Sequence, residues 1–162
     1  GDSVSNYDFN ASIGYWITIT SHAYQQTIDA ELRPYGITFR QFQVMGWLMY
    51  EGRLTQSDLA KRMMIEPPTL AGILTRMEAI GWIERVVCST DRRRKYIEVG
   101  PESHMVWEKV VACLHKVRAD ATQGMTPEEV DQLVSLLSRV LVNLGQSSDM
   151  DISLPSITTE KA

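Results

Sequence analysis

Residues 54–82 read LTQSDLAKRMMIEPPTLAGILTRMEAIGW, and this stretch decides the fold. Its first half predicts a short helix, because Thr55 and Asp58 stand at the spacing of a capping box and open a periodic apolar segment. The segment ends near Met63. This half therefore predicts the first helix of a two-helix motif.

The second half of the stretch predicts another helix after a turn of about three residues. It begins at Glu66, and Pro67 and Pro68 fall in its first turn, where a missing backbone N–H group does no harm. The helix runs to about Ala79 and ends at Gly81. Two helices of this length and separation match the helix-turn-helix pattern. Their core-facing residues are predicted to be Leu59, Ala60, Leu70, Ile73, Leu74 and Met77.

A β-hairpin is predicted directly after this motif. Residues 82–87 and 96–99 have β-rich composition, and the segment CSTDRRRK at 88–95 separates them. The last four residues of that segment are basic, so the hairpin has a strongly cationic tip. Gly100 closes the hairpin and is interpreted as the N-cap of a following helix, a role that glycine fills adequately.

Further helices are predicted on both sides of this region, because apolar residues recur there every three or four positions. The last of them begins with a capping box at Thr126 and Glu129. Residues 146–162 are polar and aperiodic and are predicted to form a tail. The chain 1–162 is therefore predicted to be a single, mainly α domain with a small β-hairpin wing. The additional helices are predicted at about 12–33, 38–50, 102–121 and 127–144.

Four short strings, in this order, carry a resemblance to a known family. They are LTQSDLA at 54–60, IEPPTL at 65–70, RMEAIGWIER at 76–85 and DRR at 91–93. With them the chain resembles the MarR (multiple-antibiotic-resistance regulator) family, and it is most similar to the SlyA-like branch. The resemblance, which covers about 12–145, implies a winged helix-turn-helix DNA-binding lobe at 54–100. It also implies a helical dimerisation region at 12–36 and 102–145.

The function implied is that of a homodimeric transcriptional repressor that binds a pseudo-palindromic operator in double-stranded DNA. The net charge of −4 argues against such a partner only at first sight. Residues 53–95 contain nine Lys and Arg against five Asp and Glu, whereas the remainder contains seven against fifteen. This asymmetry is typical of a DNA-reading module attached to an acidic scaffold.

Thirteen residues are predicted to contact or position DNA. Thr69 stands in the first turns of the second helix and can bond a base edge or a phosphate in the major groove, whereas Arg76 is better placed for a phosphate. The resemblance implies that Arg93 enters the minor groove and that Asp91 orients the arginines through an ion pair. The full set is Ser57, Lys61, Pro67, Pro68, Thr69, Gly72, Thr75, Arg76, Asp91, Arg92, Arg93, Arg94 and Lys95.

Three positions depart from the pattern of the family, and the mildest is Gly100, which replaces the usual threonine before the fifth helix. Met64 occupies a turn position where glycine is common, which predicts a distorted turn. Gly72 stands where many relatives have an arginine or another polar residue on the groove-facing side. The glycine removes one base contact and lowers helix propensity by about 1 kcal/mol.

The resemblance also implies a ligand pocket between the dimerisation region and the DNA-binding lobe. Aromatic rings and methionines near that place favour a flat aromatic or amphipathic ligand, which would modulate operator binding. Each of these residues, taken alone, is also explained as an ordinary core residue. The predicted set is Trp16, His22, Tyr24, Arg40, Met45 and Trp47.

Other functional classes find little support in the sequence. No arrangement of catalytic residues, phosphate-binding loop or metal-ligand spacing is recognisable, so no enzyme activity, cofactor or metal is predicted. Two cysteines are too few for a disulfide framework, and no export or membrane signal is present, which favours the cytoplasm. Two alternatives remain open: a redox response through Cys88, whose neighbouring arginines could lower its pKa, and a winged-helix interaction module.

Overall fold

The structure is a computed structural model that describes residues 6–145. The predicted mainly α class with a small wing is confirmed, and the described chain forms two compact units that divide between Asp120 and Ala121. Single turns of 3-10 helix lie at Phe9–Ala11 and Arg33–Tyr35. In chain order the elements are α1 (Ile13–Leu32), α2 (Phe39–Glu51), β1 (Leu54–Thr55), α3 (Gln56–Met63), α4 (Pro67–Ala79), β2 (Ile83–Val87), β3 (Lys95–Val99), α5 (Ser103–Ala121) and α6 (Pro127–Asn143).

Hydroxyl side chains determine where most of these helices begin. The Oγ of Ser12 accepts the backbone N–H of Tyr15, and Thr55 does the same for Asp58 at the start of α3. At the start of α2 the bonds form a capping box: the Thr38 hydroxyl accepts the backbone N–H of Gln41, and the Gln41 side-chain oxygen accepts the backbone N–H of Thr38. Each such cap stabilises a helix by about 1 kcal/mol, which explains why the helix starts are readable from sequence.

The first unit is held by one continuous apolar core. All six residues predicted to face the core of the two-helix motif lie in it, as do residues of α1, α2, α5 and all three strands. Burying a leucine-sized side chain contributes roughly 1.5 to 3 kcal/mol, so this cluster dominates the stability of the unit. The fully buried members are Leu32, Val44, Met45, Leu59, Leu70, Leu74, Met77, Ile83, Ile97, Val110 and Val117.

The wing is a three-stranded antiparallel sheet rather than a hairpin alone. Its strand order is β1-β3-β2, and Leu54 of β1 pairs with Ile97 of β3. β1 has only two residues, which is too short for a periodic pattern in sequence. Because β1 directly precedes α3 and pairs with β3, it connects the start of the helix-turn-helix to the wing.

Two glycine backbones meet where the wing joins α5. The amide of Gly100 donates to the carbonyl of Trp82 at 2.8 Å, and the carbonyl of Gly81 accepts the amide of Glu102 at 3.1 Å. A Cβ at Gly100 would lie 2.1 Å from the carbonyl oxygen of Gly81, a distance that no side chain can occupy. Gly100 also lies at the start of α5, because its carbonyl accepts the amide of Ser103 at 3.1 Å. Its main role is to allow this close approach.

The turn between α3 and α4 places Met64 in a left-handed conformation, with φ 54° and ψ 43°. A side chain in this region costs roughly 1 to 2 kcal/mol. Met64 is 79% exposed, so little packing compensates for the strain. The backbone of Met64 thus takes the conformation that glycine adopts readily, so the departure from glycine leaves strain at Met64 instead of the expected distortion of the turn.

Met64→Gly is therefore expected to raise the free energy of unfolding by about 0.5 to 1 kcal/mol, because the relieved strain exceeds the entropy that glycine adds to the unfolded chain. The matched control is Met64→Ala, which keeps the strained conformation and should give no gain. Urea titrations followed by circular dichroism measure both. A loss of stability in Met64→Gly would show that the methionine side chain stabilises the turn.

The second unit contains α6, which begins with the predicted capping box. Thr126 accepts the amide of Glu129, and the Glu129 carboxylate accepts the amide of Thr126 at 2.9 Å. Along α6 several large apolar side chains are exposed: Leu133, Val134, Leu136, Leu137 and Val142. None of the helices within residues 6–145 combines the length and apolarity that a membrane crossing needs.

Candidate nucleic-acid interface

α4 is buried on one face and open on the other. Its four apolar residues at helical spacing, Leu70, Ile73, Leu74 and Met77, are buried in the core. The opposite face carries only exposed residues. A helix that is anchored in this way can present side chains to a partner without losing its own packing. The exposed residues predicted to meet DNA are Pro67, Pro68, Thr69, Gly72, Thr75 and Arg76.

α3 is anchored to α2 by an ion pair that sequence patterns do not reveal. The guanidinium of Arg62 donates to both carboxylate oxygens of Glu51, at 2.9 and 3.1 Å. Their side chains are only 17% and 20% exposed, so water screens the pair little. The pair fixes the position of α3 relative to α2. Ser57 and Lys61 of α3 remain exposed.

The tip of the wing is held by its own hydrogen bonds. The carboxylate of Asp91 accepts the backbone amide of Arg93 at 3.0 Å, and its carbonyl accepts the amide of Arg94 at 3.0 Å. The amide of Cys88 then donates to the carbonyl of Arg94 at 2.8 Å. In the described chain Asp91 thus shapes the tip through backbone bonds, as Asx turns do, rather than through the expected ion pair.

Basic residues also flank the wing at Tyr96. The guanidinium of Arg53 lies 5.3 Å from the ring centroid, and that of Arg94 lies 5.9 Å from it. Arg53 also pairs with Glu98 at 3.3 Å. Cation–π contacts leave the edge N–H groups of a guanidinium free for other partners. Arg53 and Tyr96 are not predicted from sequence, because Arg53 belongs to no motif and meets Tyr96 only through the sheet.

All thirteen predicted DNA residues are exposed and lie on α3, α4 or the wing. Five of them, Asp91 to Lys95, form one run that reaches from the tip into the start of β3. Contact with DNA itself stays a prediction for every residue of the set.

The arrangement of α3, α4 and the wing is similar to that of known proteins. A sequence model of the MarR family matches residues 35–94, which contain α2, β1, α3, α4, β2 and the loop between β2 and β3. Over these residues the chain is similar to the MarR family, and it has the winged-helix fold of that family.

Solved structures of MarR-type proteins agree over most of the chain. A MarR variant from E. coli complexed with operator DNA is 22% identical, with a TM-score of 0.73 and 85% of this chain and 99% of that chain covered. The S. aureus MepR–DNA complex is 27% identical, with a TM-score of 0.69 and 82% and 98% covered. Bordetella bronchiseptica BpsR, whose DNA binding is regulated by 6-hydroxynicotinic acid, is 20% identical, with a TM-score of 0.72 and 85% and 98% covered.

The six residues predicted to bind a ligand in this MarR-like chain do not form one uniform group. Met45 is fully buried in the core, whereas Trp47 is half-buried. His22 and Tyr24 lie about 160° apart around α1, because each residue of a helix turns by about 100°. Their side chains therefore leave α1 on different sides.

The remaining ligand candidates pair up along their helices. Trp16 and Tyr24 are within about 80° of each other on α1, and Arg40 and Trp47 within about 20° on α2. The indole N–H of Trp16 already donates to the carbonyl of Asn10 at 2.8 Å. Arg40 is exposed and donates to Gln43 at 2.8 Å, a contact that a ligand could replace. Ligand binding by these residues stays a prediction.

The two cysteines of the MarR-like chain differ in environment, and both are free thiols. A hydrogen bond with the Thr90 hydroxyl at 3.2 Å lowers the pKa of the Cys88 thiol, aided by backbone amides of Thr90 and Asp91. Burial raises the pKa of Cys113 on α5. Cys88 is therefore the more reactive thiol at neutral pH.

Proposed function

We propose that the chain is a homodimeric transcriptional repressor of the SlyA-like branch, which acts in the cytoplasm without catalytic activity and binds a pseudo-palindromic operator. The observation that carries the proposal is the exposed face of α4 beside a basic wing whose tip is held by hydrogen bonds. The structures of MarR from E. coli and of MepR from S. aureus with DNA support it.

In this proposal α4 enters the major groove with its exposed face. Thr69 bonds a base edge or a phosphate, and Ser57 and Lys61 of α3 hold the backbone of the duplex. Arg93 at the tip of the wing reaches the minor groove, where narrow A·T tracts concentrate negative potential. The flanking cations, Arg92, Arg94 and Lys95 among them, neutralise phosphates.

Selection from a random pool of duplexes tests the proposal. The protein is expected to enrich an inverted repeat whose half-sites lie about one helical turn apart. Thr69→Ala should alter the core of each half-site, whereas Thr18→Ala on α1 should enrich the wild-type motif. A folded protein that enriches no motif would contradict sequence-specific binding.

Dimerisation is proposed through the terminal helices. Isoleucine side chains Ile13 and Ile17 of α1 are exposed, as are Leu133 and Leu137 one turn apart on α6. Apolar surface of this kind is stabilised when a second copy covers it. Light scattering at micromolar concentration should give the mass of a dimer.

A paired substitution on α6 tests the dimer. Leu133→Asp with Leu137→Asp should give a folded monomer or a weakened dimer, because carboxylates oppose burial. Ser135→Asp, on the opposite side of α6, is the matched control and should stay dimeric. A monomeric mass for the wild type, with native circular dichroism, would refute the proposal.

A small aromatic ligand is proposed to lower operator affinity. The rings of Trp16, Tyr24 and Trp47 offer stacking surfaces, and Arg40 offers a cation for a carboxylate. The regulation of BpsR by 6-hydroxynicotinic acid is consistent with this class of ligand. The ligand acts only if it prefers one spacing of the two α4 helices over the other.

A thermal-shift screen of aromatic acids, with 6-hydroxynicotinic acid as the first probe, tests this part. Compounds that stabilise the protein should weaken binding to the selected duplex roughly 5- to 150-fold. Arg40→Ala should remove the effect, and Tyr35→Ala, an exposed aromatic outside the set, should not. Stabilising compounds that leave duplex affinity unchanged would contradict the proposed ligand site.

A redox response is the second candidate, because the hydrogen bond with Thr90 lowers the pKa of Cys88. A lower pKa gives more thiolate near neutral pH, so iodoacetamide at pH 7.5 should label Cys88 before Cys113. Thr90→Val should slow the labelling of Cys88 at pH 7.5 and leave it unchanged at pH 10, where the Cys88 thiol is ionised with or without the hydrogen bond. Equal rates at pH 7.5 would show that the hydrogen bond does not tune the thiol.

A further inference from the structure

α4 carries a single basic residue, Arg76, on the face that the core leaves open. Every residue of α4 is described, and Arg76 makes no hydrogen bond or ion pair within the described chain. The carboxylate of Glu78 is engaged by Arg85 at 3.4 Å and does not hold Arg76. The guanidinium of Arg76 is therefore available to a partner.

Gly72 lies one helical turn before Arg76 and provides space for it. A Cβ at Gly72 would meet a single atom within 4 Å, the Nη2 of Arg76, at 4.0 Å. The arginine thus extends back along the helix, which is the direction that helical side chains take towards the N-terminus. Its guanidinium lies over Gly72, in the middle of the exposed face instead of at the C-terminal end of α4.

No neighbouring side chain of α4 occupies the space over Gly72 where the Arg76 guanidinium lies. Thr75 turns its hydroxyl back to the carbonyl of Ala71 at 2.9 Å. Gly72 has no side chain, and Thr69 stands one turn earlier. Residues in the N-terminal part of a recognition helix contact base edges, so an arginine that extends back towards Gly72 lies closer to that part than its own position on α4 suggests.

We infer that Gly72 and Arg76 act together as a specificity-determining pair, in which Gly72 leaves room and Arg76 binds O6 and N7 of a guanine. This rests on the proposed function, because it requires α4 to enter the major groove. A guanidinium matches these two acceptors with paired N–H groups. The pair replaces the base contact that a side chain at position 72 would make, and it revises the expected phosphate role of Arg76.

Selection from a random duplex pool, performed on five forms of the full chain, tests the pair. The wild type should enrich a guanine in each half-site, and Arg76→Gln should enrich adenine there, because a glutamine amide matches adenine. Gly72→Leu should lose the guanine preference about 5- to 150-fold by occupying the space of the guanidinium. Gly72→Ala, which only touches it, should keep the preference. Lys61→Ala should bind every duplex more weakly with the motif unchanged.

Two results separate the failure of this inference from the failure of the proposed function. If the wild type enriches no motif, the proposed function and the pair are both overturned. If the wild type enriches a motif that Arg76→Gln and Gly72→Leu retain, sequence-specific binding stands and the pair is refuted. Circular dichroism of each variant shows that it is folded, and Arg76→Gln lies on an exposed face where it leaves the core intact.

Discussion

Gly100→Ala is expected to lower the free energy of unfolding by about 3 kcal/mol or more. The new methyl group would lie 2.1 Å from the carbonyl oxygen of Gly81 and 3.0 Å from the amide of Ile83. Both are backbone atoms and cannot rotate away, so the wing and α5 must separate. This separation would also strain two hydrogen bonds: the one from the Gly100 amide to the Trp82 carbonyl and the one from the Ser103 hydroxyl to the Gly100 carbonyl.

The matched control for this substitution is Gly72→Ala. Its methyl group would meet only the Nη2 of Arg76 at 4.0 Å, and the backbone there is ordinary helix. Alanine in place of glycine within a helix stabilises by about 1 kcal/mol, so the two substitutions should shift stability in opposite directions. Urea titration measures both. Equal stability of Gly100→Ala and the wild type would show that the junction of wing and α5 is not packed as described.

Arg93→Ala is expected to weaken binding to the selected duplex about 5- to 150-fold and to relax the A·T preference at its flanks. The wing tip presents Arg93 on a turn that Asp91 closes through the Arg93 amide. Removal of the guanidinium would delete the proposed minor-groove contact without disturbing the core, because Arg93 is exposed. Equal losses on the selected duplex and on scrambled duplexes would assign Arg93 to phosphate instead.

Two substitutions of Asp91 separate its possible roles. Asp91→Ala removes the acceptor for the Arg93 amide and should imitate the loss seen in Arg93→Ala. Asp91→Asn keeps an oxygen that can accept this bond, so it should bind at least as tightly as the wild type, since a negative charge near DNA is lost. If Asp91→Asn is as weak as Asp91→Ala, an ion pair with the arginines orients the tip.

Local signals made much of the fold predictable. Side-chain caps at Ser12, Thr38, Thr55 and Thr126 mark helix starts because their bonds join residues three positions apart. The apolar spacing of α4 predicts its buried face for the same reason: the period of a helix is a local property.

Contacts between residues distant in sequence were not predictable. β1 exists because Leu54 meets Ile97, and the close approach of Gly81 and Gly100 depends on how the wing returns to α5. The association of Arg53 with Tyr96 likewise requires the folded sheet. No periodicity or spacing in the sequence predicts these contacts.

In the candidate site, too, the features set by local sequence were predictable and those set by the folded structure were not. Exposure of all thirteen predicted DNA residues follows from the helical period and the hairpin, which are local. The position of the Arg76 guanidinium over Gly72 depends on a side-chain direction that sequence spacing alone leaves open. For the ligand set, the buried position of Met45 shows that an apolar residue on a central helix is better explained as core.

Affinity for the selected duplex as a function of salt concentration tests most directly whether this surface binds DNA. For a dimer that contacts phosphates through the cations of α3 and the wing, log K should fall linearly with log salt, with a slope between about −3 and −7. The selected duplex should bind more tightly than its scrambled counterpart at every salt concentration. Affinity for duplex DNA that is absent or independent of salt, in a folded protein, would contradict DNA binding and favour a winged-helix module that binds another protein.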